Sequence, residues 1–360
     1  MAIFKKYSIH ENYKKEKSLI EPCQFVGIHQ FLDELEAGKE IHYINCTFNF
    51  LIDLSNYNFN KKVRFHNCIF KKGINCENTT FNQLVDFYQS RFEDNQYFHL
   101  TDFLNISIFS ETTFEKAVIF RHNKVSNDTY ISFEKAIFKN GLDISNSNFW
   151  CTLQVYGIKI EQSIPNPSSL VFYQEKNIGN TMKDNKLLNL NIRTYKGLRE
   201  SYRRIKQEFR KSENNIEALG FHYHEMTIYS KELQFKSDKN DKKLNRFDKN
   251  KIILYFNRIS NDYNLSWYKG LCFTFLTSLL FFLTINIILI FTKEISITYS
   301  LQYFYNNIDE FMNFINPLVW NYKLFDTKNP LAIIITFIGK IFISYGYYQT
   351  IQAFRKYGKN

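Results

Sequence analysis

The chain has 360 residues, 46 Lys+Arg against 35 Asp+Glu for a formal net charge of +11, and aromatic side chains at 18% of its positions. So much apolar surface excludes a disordered tail, and six cysteines in a chain of this length exclude a disulfide scaffold. The mean hydropathy of −0.34 excludes a chain built mostly of membrane helices, but an average of this kind can hide two short apolar stretches.

The charge is uneven. Residues 1–40 hold six basic and seven acidic side chains, residues 41–150 eleven of each, residues 151–269 twenty-two against thirteen, and residues 270–360 seven against four. The excess lies just before an apolar stretch, as on the cytoplasmic flank of a membrane protein. Nucleic acid is the competing partner for a basic segment. It is unlikely here, because no recognised reading module accompanies the charge.

In chain order, residues 1–40 form an N-terminal segment, in which Phe31, Leu32 and Leu35 mark a capping helix over residues 27–39. Residues 41–160 carry an internal repeat, the feature that decides the fold. One series places Phe48, Phe59, Phe70, Phe81, Phe92, Phe103 and Phe114 eleven residues apart and resumes at Phe138 and Phe149. A second runs Leu54, Phe65, Cys76, Phe87, Phe98, Phe109, Phe120 and resumes at Phe133 and Ile144. Both slip by two residues between Phe120 and Phe133, so one insertion within residues 122–128 restores them. Two places before the first series sits a mostly small residue: Cys46, Cys68, Thr79, Ser90, Thr101, Thr112, Ala136 and Ser147, with Tyr57 the exception. Alternate steps of five and six fit neither a helix nor a flat hairpin sheet. They fit a coil that turns a corner every five or six residues, with both the large and the small residue pointing inward.

In Cys68-Ile69-Phe70, Thr79-Thr80-Phe81 and Ala136-Ile137-Phe138 the chain resembles the pentapeptide-repeat proteins, in a Phe-rich variety. The resemblance implies a right-handed, four-sided parallel β-helix with stacked Phe at its centre. Steps of five and six give a coil of about 22 residues, so residues 48–149 make about 4.6 coils and a rod roughly 22 Å long. Fifteen ladder Phe buried at about 2 to 3 kcal/mol each suffice to hold it. The open ends of such a rod invite aggregation; the helix at residues 27–39 would cover one, and a strand within residues 150–160 the other. Some members of that family mimic DNA, which needs a strongly acidic rod, and this one is neutral.

Chemistry is sparse. Cys23, Cys46, Cys68, Cys76, Cys151 and Cys272 show no metal-ligand spacing, and those inside the repeat read as small buried hydrophobes. His222 and His224 lie two apart on a helix and point to different sides. His66 and His99 each follow a ladder Phe and should face outward. With no Walker loop, GxGxxG or GxSxG motif, the chain reads as a non-enzyme without cofactor or metal.

Residues 185–236 switch to helical periodicity, with Tyr195, Leu198, Tyr202, Ile205 and Phe209 on one stripe and Leu219, Tyr223, Met226, Tyr229 and Leu233 on another. They read as a helical hairpin. It resembles the helix pair that precedes the membrane helices of some anchored pentapeptide proteins. Arg203, Arg204 and Lys206 read as a solvated face, with a docking site for a partner or lipid headgroups as the alternative. Residues 237–269 read as a charged linker.

Residues 270–292 contain no charge and are long enough to cross a bilayer core of about 30 Å. A second span, residues 331–354, carries Lys340 near its middle, with Gly339, Ser344 and Gly346 close by. A charge there is costly in lipid, so Lys340 should face another helix or a watery cavity. Near the spans, seven basic residues flank the two outer ends and three the connecting loop, which places both termini, including the tail at 355–360, in the cytoplasm. The aromatic loop at 293–329 either lies on the interface or re-enters. Span, apolar loop and span resemble the two-helix module of tetrameric cation channels. With no Gly between Gly270 and Gly339, however, a potassium filter is excluded; a pore lined by Lys340 would favour anions.

The sequence-level reading is therefore a mixed fold of β-helix, helical hairpin and two membrane helices. It acts as a cytoplasmic interaction scaffold for an unknown protein partner, anchored in membrane lipid. The alternative is a homo-oligomeric, channel-like protein with a degenerate pore loop gated by the cytoplasmic part. The richness in Lys, Asn, Ile, Phe and Tyr suggests an AT-rich bacterial genome, hence an inner membrane.

Overall fold

The computed structural model describes residues 24–149, 151–161, 184–239, 249–292, 301–320 and 329–355. The chain divides into two compact units, residues 1–213 and 214–360.

The first unit is a parallel β-solenoid of about five turns, whose four faces are sheets of seven, six, five and three strands. Partner residues are 22 apart on every early pair, as in Thr47 with Ile69, Val63 with Val85 and Ile74 with Gln96. The offset becomes 24 for Ser107 with Ile131 and Thr113 with Ile137. The insertion therefore lies between Val125, which still pairs with Phe103 at an offset of 22, and Ile131.

A coil of 22 residues makes each eleven-residue ladder visit two faces, so the two ladders of the sequence become four stacks in space. Phe48, Phe70, Phe92, Phe114 and Phe138 form one, with ring centroids 5.4, 4.5, 5.1 and 4.9 Å apart. Phe65, Phe87, Phe109 and Phe133 form the second at 5.4 to 5.6 Å. Phe59, Phe81 and Phe103 make the third, and Phe98 with Phe120 the fourth. Near-parallel rings at these spacings are favourable offset stacks, with neighbouring columns meeting edge to face. Thirteen of the fifteen ladder Phe are buried, while Phe59 and Phe149, at the ends, are half-buried.

The small residues do more than save space. Thr79, Ser90, Thr101 and Thr112 donate their hydroxyls to the carbonyls of Leu54, Phe65, Cys76 and Phe87, each 25 positions back, at 2.6 to 2.8 Å. Ser147 does the same to Phe120, 27 back across the insertion. A left-handed turn recurs along the coil, before every small residue of the series except Ser147 and also before Tyr57 and Asn123: Asn45, Asn56, Asn67, Asn78, Gln89, Leu100, Glu111, His122 and Lys135 all have φ between +52° and +63°. Asn tolerates that region and Leu does not.

At the N-terminal end, α1 (Ile28–Glu36) buries Phe31 and Leu35 against the first coil, with Phe31 in contact with Phe48 and with Phe50, which belongs to neither ladder. Leu32 is a correction: it stands 40% exposed, off the covering face. At the C-terminal end the chain continues through strands Thr152–Gln154 and Lys159–Ile160. The end is closed by α2 (Asp184–Lys211), whose stripe of Tyr195, Leu198, Tyr202, Ile205 and Phe209 is buried. Ser201 Oγ accepts from the Ile144 amide at 2.9 Å, and Arg204 donates to the Ser147 carbonyl at 2.9 Å. Arg204 is therefore not simply a solvated residue; half-buried, it satisfies carbonyls of strand Leu142–Asn148, the terminal strand of the five-stranded face. Arg203 stays exposed beside Glu200, and Lys206 is buried.

The hairpin expected over 185–236 is divided. Its first helix belongs to the solenoid unit, whereas α3 (Asn215–Lys239) belongs to the second unit, where Leu233, Tyr223, Met226 and Tyr229 pack with Leu254 and Tyr263. Within the expected linker lies a 13-residue helix, α4 (Lys249–Asn261), followed by α5 (Trp267–Phe291), α6 (Leu301–Ile315) and α7 (Pro330–Phe354).

Leu100 is the poorest fit among the left-handed positions and is 44% exposed. Replacing it with Asn should stabilise the chain by about 1 kcal/mol. The check is the denaturation midpoint of the full chain, which should rise for Leu100→Asn and fall for Asn78→Gln, which gives up both the tolerance of Asn for this turn and its hydrogen bond to Asn56.

Candidate functional site: a buried lysine and the helix end it holds

Two helices, α5 and α7, are long and apolar enough to cross a membrane. Ser266 caps the first and Asn329, ahead of Pro330, the second. Their outward face is apolar, while small and polar residues share the inward face with Phe273, Phe282, Ile285, Leu289 and Ile343. Small and polar residues face inward: Gly270 meets Thr350, Gly346 meets Thr274, and a Cβ on either glycine would come within 2.5 Å of the facing hydroxyl. The hydroxyls of Thr274, Ser278, Thr336 and Thr350 are spent on the carbonyls four residues back. Leu276, Leu280, Leu283, Ile334, Ile341 and Ile351 point outward and are exposed. Only 33% of each helix's most apolar window is buried, whereas a core helix of a soluble protein is mostly covered. Small residues at the contact allow the close backbone approach on which helix pairs in lipid depend.

Between them α6 reaches their mid-length. Phe311 packs on Phe275 and Phe282, and Phe314 on Phe282, with its ring tip against Gly339. Asn316-Pro317 ends the helix, since proline cannot continue it. The chain then turns back, with Leu318 N bonded to Asn316 Oδ1 and Trp320 over Phe337. The last carbonyls of a helix have no intrahelical donors. Here Lys340 supplies them: its Nζ lies 3.1, 2.9, 2.7 and 2.9 Å from the carbonyl oxygens of Asn313, Phe314, Asn316 and Val319. The ammonium also sits 5.5 Å from the Phe314 ring centre and 6.0 Å from that of Trp320. Three N–H donors facing four acceptors, at the negative end of a helix dipole, make a cation the favoured occupant.

Lys340 thus faces a helix rather than a cavity: it is wholly buried, and lining a lumen is not its place in this chain. Gly339 and Gly346 lie in the helix contacts, and Ser344 is exposed. What sequence reasoning missed is a polar stripe on α6. Asn306, Asp309, Asn313 and Asn316, spaced 3, 4 and 3, share one face, on which all but the half-buried Asn313 are exposed. The many aromatics of this segment masked that helical period.

Elsewhere the reactive residue types serve the fold. Burial pushes the Cys76 thiol up strongly and that of Cys151 up to about 11; a hydrogen bond from Cys68 draws Cys46 down to about 7 while it remains buried. His66 does not face outward. It is buried, with Nε2 2.7 Å from Asp86 Oδ2 on the next coil. His99 is half-buried beside Glu77. His222 lies 3.7 Å from Glu225, and burial lowers the pKa of His224. Among the described residues no three His, Cys, Asp or Glu side chains gather as a metal site. Compared with protein-family models, curated proteins and solved structures, the chain matches none.

Lys340→Met removes the donor from four carbonyls at once, at about 1 to 3 kcal/mol per acceptor left without one. Amide exchange over residues 313–320 of the detergent-solubilised protein should accelerate sharply, and the thermal midpoint should fall. Lys340→Arg should fall between the two, keeping the charge while misplacing the donors.

Proposed function

We propose that the chain is a pentapeptide-repeat protein of a bacterial inner membrane. It crosses the membrane twice through α5 and α7, both termini lie in the cytoplasm, and it acts without catalysis as an interaction scaffold for a protein partner. The observation that carries this reading is the exposed apolar outer face of the helix pair, over a contact rich in small and polar residues, in the same chain as a Phe-filled solenoid. The pair has the surface of a lipid-embedded body, and a rigid rod is suited to presenting a surface. Orientation rests on the basic residues around the pair, among them Arg258, Lys269 and Arg355. After alkaline washing the chain should stay with the membrane pellet; release to the supernatant overturns the anchoring. A cysteine introduced at exposed Tyr156 should react with an impermeant maleimide only after the cells are permeabilised, and labelling of intact cells overturns the orientation.

A second reading has its own support in the polar stripe of α6. A carboxylate and three amides along a helix packed on the two apolar ones are poorly placed against lipid, and copies of this chain arranged around that stripe would enclose water. Asp309, not Lys340, then sets the selectivity, which favours cations and reverses the anion preference expected from the sequence. The native mass of the purified complex should show a closed oligomer, and Asp309→Asn should lower the ratio of cation to anion flux in reconstituted vesicles. A monomer, or an absence of flux before and after the exchange, removes this reading.

A further inference from the structure

Within the second unit α4 packs on α3 through Leu254 and is tied to α7 by side-chain hydrogen bonds. Tyr345 OH donates to Asn257 Oδ1 at 2.9 Å, Asn261 Nδ2 donates to the Gln349 carbonyl at 3.1 Å, and Phe256 lies on Phe342. Where α4 meets α5 the surface forms an open cleft of about 630 Å³. Arg258 and Lys269 stand on its wall together with Tyr255 and Ile259 of α4 and Leu276 and Thr277 of α5. Tyr255, Ile259 and Leu276 are exposed to it at 62%, 42% and 63%.

The lining is graded. Lys269 is in the first turn of α5, and Leu276 and Thr277 lie about 10 to 12 Å further along the axis. One end is therefore cationic and the other apolar. Lys269 spends one proton on Asp262 at 2.7 Å and keeps two. Arg258 has no carboxylate partner among the described residues, and its guanidinium fork matches a phosphate. Lys231 on α3 lies close enough that Arg258, after burial, helps to lower its pKa. At the same level Trp267 and Tyr268 are exposed, the residue types that settle at a membrane–water boundary.

We propose that the groove between α4 and α5 is a binding site for an anionic phospholipid, with the phosphate held by Arg258 and Lys269 and an acyl chain laid along Ile259 and Leu276. The proposal rests on the membrane reading above and adds a ligand class and an address to it. An acidic peptide satisfies the cations but leaves the apolar wall unfilled; a neutral lipid does the opposite.

The full chain, extracted in mild detergent and offered phosphatidylglycerol or phosphatidylcholine, is read by native mass spectrometry. Phosphatidylglycerol should remain bound at one per chain and phosphatidylcholine should not. Arg258→Gln should weaken retention about fivefold, the effect of one cation near an anionic surface, with the thermal midpoint in lipid-free detergent unchanged. Leu276→Trp, which fills the groove and leaves every charge in place, should reduce retention as well. Lys249→Gln together with Lys251→Gln removes two charges from α4 outside the groove and should have little effect. Equal retention of the two lipids overturns the proposal, as does a loss from the Lys249/Lys251 variant equal to that from Arg258→Gln, or full retention by Leu276→Trp. A chain released by alkaline washing would instead refute the membrane reading, and the two failures are read in separate assays.

Discussion

A carbonyl oxygen shut away from water must be given a donor, and much of this molecule is arranged around that requirement. In the solenoid the donor is a hydroxyl that reaches one coil back. At the solenoid's C-terminal end it is the Arg204 guanidinium. Between the apolar helices it is the Lys340 ammonium, which collects four carbonyls where a chain reverses direction. The cost of leaving such acceptors bare exceeds what a bond between them and water would return in net stability. The identity of these few polar residues is therefore more constrained than that of the apolar side chains around them, most of which have substitutes of similar volume.

The solenoid was readable because its period is covalent. Eleven residues are half a coil, and nothing in tertiary packing can shift that count without moving every Phe off its stack. The same logic located the two-residue insertion to within a few positions. Contacts set by the third dimension were not readable. Leu32 lies on a short helix whose inward arc is narrower than its apolar arc, and His66 found Asp86 twenty residues away. The stripe at 195–209 is buried throughout, whereas of the stripe expected at 219–233 only Leu233 is buried and the most covered face of α3 is Ala218, Phe221, Glu225, Ile228 and Glu232; periodicity states only that a face is covered, and by what is left open. One stripe is paired with the solenoid's end and the other with α4.

The second unit was legible as apolar length and illegible as architecture. Hydropathy finds α5 and α7 because few charges interrupt them, and the same average hides α6, where aromatics and asparagines alternate with helical period. Lys340 was noticed as an anomaly, and its role follows only from the carbonyls that surround it. Arg258 and Lys269, read as part of a linker, face one cleft from α4 and from the first turn of α5, while Asn257 and Asn261 tie α4 to α7.

The hydroxyl bonds of the solenoid all point the same way along the chain. Thr101 completes Cys76, Thr112 completes Phe87, and Ser147 completes Phe120; the later residue always serves the earlier. Each coil is sealed by its successor, so the rod has a direction of growth that coincides with the order in which a ribosome delivers it. A nascent chain stopped after any coil would present one unfinished layer rather than an unfinished core. The final layer has no successor, and α2, the first helix to follow, is the part that brings assembly to a halt.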